Sequence, residues 1–509
     1  MATLEAHRDV GRWKLLLALL AVVWLALRLP LLFRSIWFDE AFRTFVVLNP
    51  ASIRDLLLHD VHNPLYNAFM YGWIRVFGDS EPSIRVPTLL AGAGVIGIVW
   101  VWCKSHWGER AAWWSAAWLV VNPVHVYYSC EAKNNMVTVL FAALALWRWD
   151  VMARALTARN VVLASLAGAL AIWTDFQSLL VLPAVCVAWI VLLTRDSTRR
   201  RAWVTAAICV GATLVLTAPL LLFKAKNLDD LDRNYLRYFH VHEPVRLVLV
   251  YFSTGNGLWV TTRGNWPGAA LTFAPLVLPS LIVGWLAVRK VSAGRVVLIS
   301  LLAPVVITFV GGEVAKLFNP DLHIYQERNL LVMMPGLAIV LGVGMAGLRK
   351  QFFVWLSRWG LLVLGLVSSI AILTWNSERG TVMRLGRADW RSAAAVIREQ
   401  ERHERTLIAE DHVTVVVSRT PLLAMRYYMP SDNFVELKPR SESAAEEVIA
   451  EVREAMAGRG AGVCWLIVCE DWSPLTEEEM GAIRREFVVE EAGRGRGILV
   501  WEVREALLH

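Results

Sequence analysis

The chain has 509 residues, of which 56% are apolar and only 19% charged, and its mean hydropathy is +0.47. A soluble chain carries about 25% charged residues, so the composition excludes a purely water-soluble protein and makes lipid the solvent for much of the length. The net charge of +7 does not imply nucleic acid, because Lys and Arg are scattered in short loops between apolar runs, where positive-inside bias accounts for them.

The first apolar run, Trp13 to Phe33, spans roughly 31 Å as a helix and suffices to cross a bilayer. It has no small-residue cleavage site behind it and reads as a retained anchor helix. Further spans are expected to begin near Ile84, Ala111, Asn135, Asn160, Ser178, Ala202, Gly268, Arg295, Asn329 and Trp359, about eleven in all. The 25 tryptophans suit such a chain, since Trp collects at lipid–water interfaces.

With the N-terminus and its Arg8, Arg12 and Lys14 in the cytoplasm, alternate loops are "KSHWGER", "RALTAR", "TRDSTRRR", "RKVSAGR" and "LRKQFFVWLSR". All are basic, so one assumption satisfies every short loop. The other side then holds 34–83, 122–134, 174–177, 224–267, 311–328 and everything after about Trp375. This is the expected topology of a multi-pass protein of the inner or plasma membrane, with an extracytoplasmic C-terminal domain.

From 376 to 509 the pattern changes. "DWRSAAAVIREQERH", "SAAEEVIAEVREAMAGR" and "TEEEMGAIRREF" read as helices, and "TLIAED", "GVCWLIVCED" and "GILVWEV" as strands. The alternation predicts a small α/β domain with a largely parallel sheet. "GRGRG" follows no strand-to-helix turn, matches no phosphate-binding fingerprint and reads as a hairpin turn. Cys464 and Cys469 lie on one expected strand, about 17 Å apart, too far to bridge. Cys103, Cys186 and Cys209 read as small core residues.

Polar groups gather on the outer side. "SIWFDEAFRTF" sets Asp39 and Glu40 at the mouth of the first span, although a charge at the bilayer centre costs about 2.5–3.5 kcal/mol. "HDVHNPLYNAF" adds His59, His62 and Tyr66. The two histidines are a weak zinc signal without a third ligand. "NPVHVYYSCEAKNN" carries Tyr128, Glu131 and Lys133, and Asp175 sits between two closely spaced spans. "DLHIYQERNLL" carries His323, Tyr325, Glu327 and Arg328.

Lys133 and Arg328 each precede a helix expected to run inward, and a helix N-terminus favours anions. Singly, each reads as a side chain snorkelling to bulk headgroups. On one face with the acidic pair, they read together as a site for a lipid phosphate. Glu131 has three readings, a plain surface pair with Lys133 worth under about 1 kcal/mol, a contact at that site, or a ligand for a divalent cation. No other metal site is indicated.

At this point the chain resembles a known family. "SIWFDEAFRTF", "HNPLYNAFMYGWIRVFGDSEPSIRVPTLLAG" and "GERAAWWSAAWLVVNPVHVYYSCEAKNNMVTVLFAAL" are similar to the GT-C superfamily of membrane glycosyltransferases. The branch is family 39, which holds protein O-mannosyltransferases, the lipid A aminoarabinose transferase and bacterial lipopolysaccharide sugar transferases. "ERNLLVMMPGLAIVLG" resembles the family's late helix and "ADWRSAAAVI" the start of its outer domain. The resemblance is dense from about residue 35 to 185 and sparse afterwards.

The resemblance implies a GT-C transmembrane domain over 1–375, with a large first outer loop at 34–83. It implies a polyprenyl-phosphate-linked sugar donor, an acceptor that is a glycan, lipid or protein, and inversion at the sugar. It implies Asp39 as catalytic base with Glu40 beside it, Lys133 and Arg328 as donor-phosphate ligands, and His62, Tyr128, Glu131, Asp175 and Tyr325 as substrate contacts. Lys133 stands where the family usually has Arg, and Asp175 where many relatives have His. The competing class is a polytopic lipid-sugar flippase or transporter, in which the same charges would line a translocation path.

Overall fold

The structure, a computed structural model, describes residues 15–36, 38–48, 63–175, 199–226, 243–254, 266–318, 327–374, 390–404, 412–417, 434–437, 444–459, 463–469, 477–495 and 498–505, with isolated positions at 50, 52, 56–57 and 178. Statements below concern these residues. The chain divides into two compact units, one of Met1–Leu32 with Pro50–Thr374 and one of Phe33–Asn49 with Trp375–His509. The sequence alone places 34–49 with the membrane domain; in the structure this stretch groups with the C-terminal residues.

The first unit is helical and polytopic. Eight helices are long and apolar enough to cross a membrane, and Ala158–Thr174 is a shorter apolar helix. Where residues are described, they match the expected spans. The spans expected from Ile84 and Ala111 are two helices within Glu81–Val121 that join without a loop at Gly108 (φ 83°, ψ 175°), where the chain folds back and brings Ser115 Oγ to 3.5 Å from Cys103 Sγ. No loop is needed there, because glycine takes a positive φ without steric cost. The span expected near Ser178 falls on 179–198, outside the described residues. The segment between the first two spans also holds an unanticipated helix, Pro64–Phe77, with proline in its first turn, where the missing N–H costs nothing.

Helix Met334–Gly347 is the centre of this unit, with every residue from Met334 to Met345 buried. It packs against Glu81–Val121 and Trp266–Val288. Small residues allow the backbones to touch. A Cβ at Gly344 would overlap the Ser280 carbonyl, one at Gly284 the Val340 carbonyl, and one at Gly342 the Ser115 hydroxyl. Arg358 caps the helix end, donating to the Met345 carbonyl and to those of Ala346 at 3.3 Å and Leu348 at 2.9 Å. Gly344→Val is therefore expected to cost about 1–3 kcal/mol or more by overpacking. Gly97→Ala, at a position with nothing within 4 Å, is expected to be neutral. Thermal unfolding of both variants in detergent checks the contrast.

The C-terminal part of the second unit is a five-stranded sheet of order β2-β1-β3-β5-β4. Its strands are β1 (His412–Val417), β2 (Phe434–Leu437), β3 (Val463–Cys469), β4 (Phe487–Gly495) and β5 (Ile498–Glu505). β1 pairs in parallel with β2 and β3, whereas β5 is antiparallel to both β3 and β4. The sheet is thus mixed rather than largely parallel, because a hairpin, not a crossover helix, joins β4 to β5. Gly493 and Gly495 belong to β4, which carries a register shift between Glu491 and Gly493. Val396 lies where a Cβ on Gly493 would sit. The strand expected at "TLIAED" lies outside the described residues.

On β3, Cys464, Leu466 and Val468 face helices Ala444–Arg459 and Glu477–Glu486, whose Val448, Val452, Met456 and Ile483 complete that core. Strand alternation turns Trp465 and Ile467, both fully buried, to the opposite face. Helix Trp390–Glu404 packs on β4 and β5.

Candidate active site

In the second unit, helix Phe38–Leu48 follows the first span closely and carries Asp39 and Glu40 in its first turn. Acidic residues there meet the positive end of the helix dipole. The two carboxylates differ in setting. Glu40 is fully buried, with Ala41, Thr44 and Val47 on the same buried face, and Thr44 Oγ1 donates to the Glu40 carbonyl at 2.9 Å. Asp39 is half-buried. Of the pair, Asp39 is the more exposed carboxylate.

In the first unit, residues 122–134 form a buried, tightly bonded segment between the helices Glu81–Val121 and Asn135–Arg154. Asn122 caps the short helix Pro123–Tyr128, its Oδ1 accepting from the His125 N–H at 3.0 Å, and its Nδ2 donates to the Phe252 carbonyl. Tyr128 and Tyr251 share a hydroxyl hydrogen bond of 3.1 Å. Burial, then Tyr251 and Glu131, push the Tyr128 phenol well above its ordinary value, so it stays protonated.

Glu131 and Lys133 are buried, at 2% and 7% exposure, a costly placement that marks them as more than a surface pair. Asn135 Nδ2 donates to Glu131 Oε2 at 3.1 Å. Asn134 Nδ2 donates to Asp175 Oδ2 at 3.2 Å, joining the Asp175 end of helix Ala158–Thr174 to this segment. Glu131 and Asp175 are thus each bonded to the Asn134–Asn135 corner that Lys133 precedes, whereas Tyr128 is bonded to Tyr251, all within one unit.

Arg328 is placed somewhat differently from expectation. It does not directly precede an α-helix but lies in a 3-10 segment, Glu327–Met333, that runs into Met334–Gly347. This segment packs against Asn135–Arg154, the helix that Lys133 precedes. The helix that Lys133 precedes and the segment that carries Arg328, far apart in sequence, are therefore packed together. His59, His62, His323 and Tyr325 lie outside the described residues, as does the Arg328 side chain. Among the described residues no cluster of three or more His, Cys, Asp or Glu is arranged to hold a metal ion.

Sequence reasoning missed Arg28. It sits fully buried near the C-terminal end of the first span. Its Nε donates to Ser129 Oγ at 2.9 Å, Nη2 bonds His125 Nδ1 at 2.8 Å, and Nη1 donates to the carbonyls of Val120 at 3.1 Å and Trp24 at 3.2 Å. Arginine only donates, so His125 Nδ1 is the acceptor. Burial and then the Arg28 charge hold this imidazole neutral by lowering its pKa. A lone Arg inside an apolar span was the available signal. Arg85, of the "RVP" motif, likewise donates to the carbonyls of Leu31 and Leu32. Arg28→Ala is expected to cost about 1–3 kcal/mol, because Ser129 and His125 keep buried polar atoms without their donor. Thermal unfolding of the purified variant measures it.

The apolar helices make the chain a multi-pass membrane protein, and its fold is the GT-C fold of the solved structures of ArnT and AglB. The family described as dolichyl-phosphate-mannose-protein mannosyltransferase matches residues 61–223. No curated protein matches the chain. Among solved structures, ArnT from Cupriavidus metallidurans bound to undecaprenyl phosphate is similar at 16% identity and a TM-score of 0.56, over 97% of this chain and 98% of that one. The archaeal oligosaccharyltransferase AglB from Archaeoglobus fulgidus, in complex with an inhibitory peptide and a dolichol-phosphate, is similar at 11% identity and a TM-score of 0.50, over 97% and 74%.

Proposed function

We propose that the chain is an inverting glycosyltransferase that moves a sugar from a polyprenyl phosphate to an acceptor hydroxyl at the outer face of the membrane. The observation that carries the reading is the packing of the Arg328 segment on the helix that Lys133 precedes. Lys133 and Arg328 would bind the donor phosphate, with Glu131, Tyr128, Asp175, His62 and Tyr325 as further substrate contacts. The undecaprenyl phosphate of ArnT and the dolichol-phosphate of AglB support this donor class.

The chemistry is a single displacement. The acceptor oxygen attacks the anomeric carbon as the bond from that carbon to the phosphate oxygen breaks. The bonding pair leaves with the phosphate, which is stable as an anion and needs charge compensation rather than a proton. Asp39 takes the acceptor proton as general base. A glycosidase needs an acid and a second carboxylate because its leaving group is poor; here one base suffices.

The test is the purified protein in proteoliposomes, with sugar-loaded polyprenyl phosphate from the source membranes. The expected result is release of free polyprenyl phosphate and a new glycosidic bond of inverted configuration. Sugar-lipid that crosses the bilayer intact would instead assign a flippase. For orientation, a C-terminal reporter active only outside the cytoplasm is expected to be active, and activity of a cytoplasm-only reporter would reverse the topology.

A further inference from the structure

The role of the C-terminal domain is not given by its composition or its fold, but one contact assigns it. Helix Trp390–Glu404 opens with free N–H groups, as every helix does. The Arg391 N–H in this first turn is directed at Ser35 Oγ, 3.4 Å away and 356 positions earlier in the chain. Ser35 thus stands where a helix's own N-cap residue would stand. The Arg391 guanidinium also donates to the Phe33 carbonyl at 2.8 Å. Trp390, the residue before, is buried and anchors this end of the helix.

Phe33 and Ser35 are the lead-in to helix Phe38–Leu48, which carries Asp39. That helix has 11 residues, shorter than the roughly 12–15 that hold a helix in isolation. Its direction is therefore set by what grips its ends and its buried face. A slip of one residue about its axis would turn Asp39 by about 100°. Phe33–Asn49 forms one compact unit with Trp375–His509, whereas Tyr128, Glu131, Lys133 and the Arg328 segment belong to the other.

We propose that the C-terminal domain is the mount of the catalytic base, and that Arg391 is a positioning residue that fixes the start of the Asp39 helix through Phe33 and Ser35. The domain then serves proton abstraction and not donor binding. The inference rests on the reading of Asp39 as general base.

The test compares Arg391→Ala and Arg391→Lys in the full-length protein, each with Asp39 intact or changed to Asn. Arg391→Ala is expected to lower kcat about fivefold or more with an unchanged KM for the sugar-polyprenyl phosphate, and Arg391→Lys to recover part of the rate. In the Asp39→Asn background Arg391→Ala should lower the residual rate no further, since the base it positions is gone. Hydrogen exchange of the amides in 38–48 should quicken in Arg391→Ala, with exchange in β3 and β5 unchanged. A raised donor KM at constant kcat, additive losses in the double variant, or unchanged exchange in 38–48 would each overturn the proposal. Absence of transfer by the wild-type protein would sink the transferase reading instead, and the exchange measurement would still decide the mount.

Discussion

Asp39→Asn is expected to lower sugar transfer by about 100- to 10,000-fold, the usual cost of losing a general base, with folded yield nearly unchanged. The asparagine keeps the size and a hydrogen-bonding oxygen but cannot take the acceptor proton. The neighbouring carboxylate offers the internal control. Glu40 is fully buried in the same turn, so Glu40→Gln should act mainly through packing and stability and cost the rate less. Initial rates and thermal unfolding of the two variants separate the roles. Wild-type transfer by Asp39→Asn would remove Asp39 from the chemistry, and a greater loss of rate in Glu40→Gln at unchanged stability would move the base one residue on.

Loss of either donor-side cation is expected to weaken use of the sugar-polyprenyl phosphate by about 5- to 150-fold, because charge-assisted contacts to a partly desolvated phosphate are worth about 1–3 kcal/mol. Lys133 is 7% exposed and lies beside the N-terminus of helix Asn135–Arg154. If Lys133 and Arg328 hold one anion, Lys133→Ala combined with Arg328→Ala should cost less than the sum of the two. Arg328→Lys should also weaken donor use, because the planar fork is lost, whereas Lys133→Arg should be tolerated. The measurement is transfer rate against donor concentration. Strictly additive losses, or an unchanged donor dependence in either single variant, would leave the two residues as contacts to bulk headgroups.

The spans were legible because a bilayer sets their length, and a run of apolar residues shows it directly. The break between the Ile84 and Ala111 spans was legible as a boundary but not as a kink. The basic "KSHWGER" stretch reads as a loop, whereas the structure makes the reversal within the stretch at Gly108, whose positive φ joins the two helices directly. In the C-terminal domain the helices and β3 and β5 stood out by their patterns. β4, "FVVEEAGRG", did not, since its glutamates and glycines mask a strand that the hairpin with β5 imposes. Tertiary pairing overrides local preference there.

The site was legible where its residues are chemically unusual for their place. Asp39, Glu40, Glu131, Lys133 and Asp175 are charges beside lipid-seeking sequence, and the structure ties Asp175 and Glu131 to the segment of Lys133. Arg28 was visible as a lone charge in an apolar span, but its partners were not, because Ser129 and His125 lie about 100 positions away and carry no charge to announce the pairing. The grip of Arg391 on Phe33 and Ser35 was hidden for the same reason: a backbone carbonyl and a serine hydroxyl have no sequence signature.

The most direct test of the central claim is mass spectrometry of the lipid that co-purifies with the protein from its own membranes. The account predicts a polyprenyl phosphate bearing one sugar, retained by the wild-type protein and lost from the variant with both Lys133→Ala and Arg328→Ala. Ordinary phospholipid alone on the wild-type protein, or the same sugar-lipid retained equally by the double variant, would contradict it.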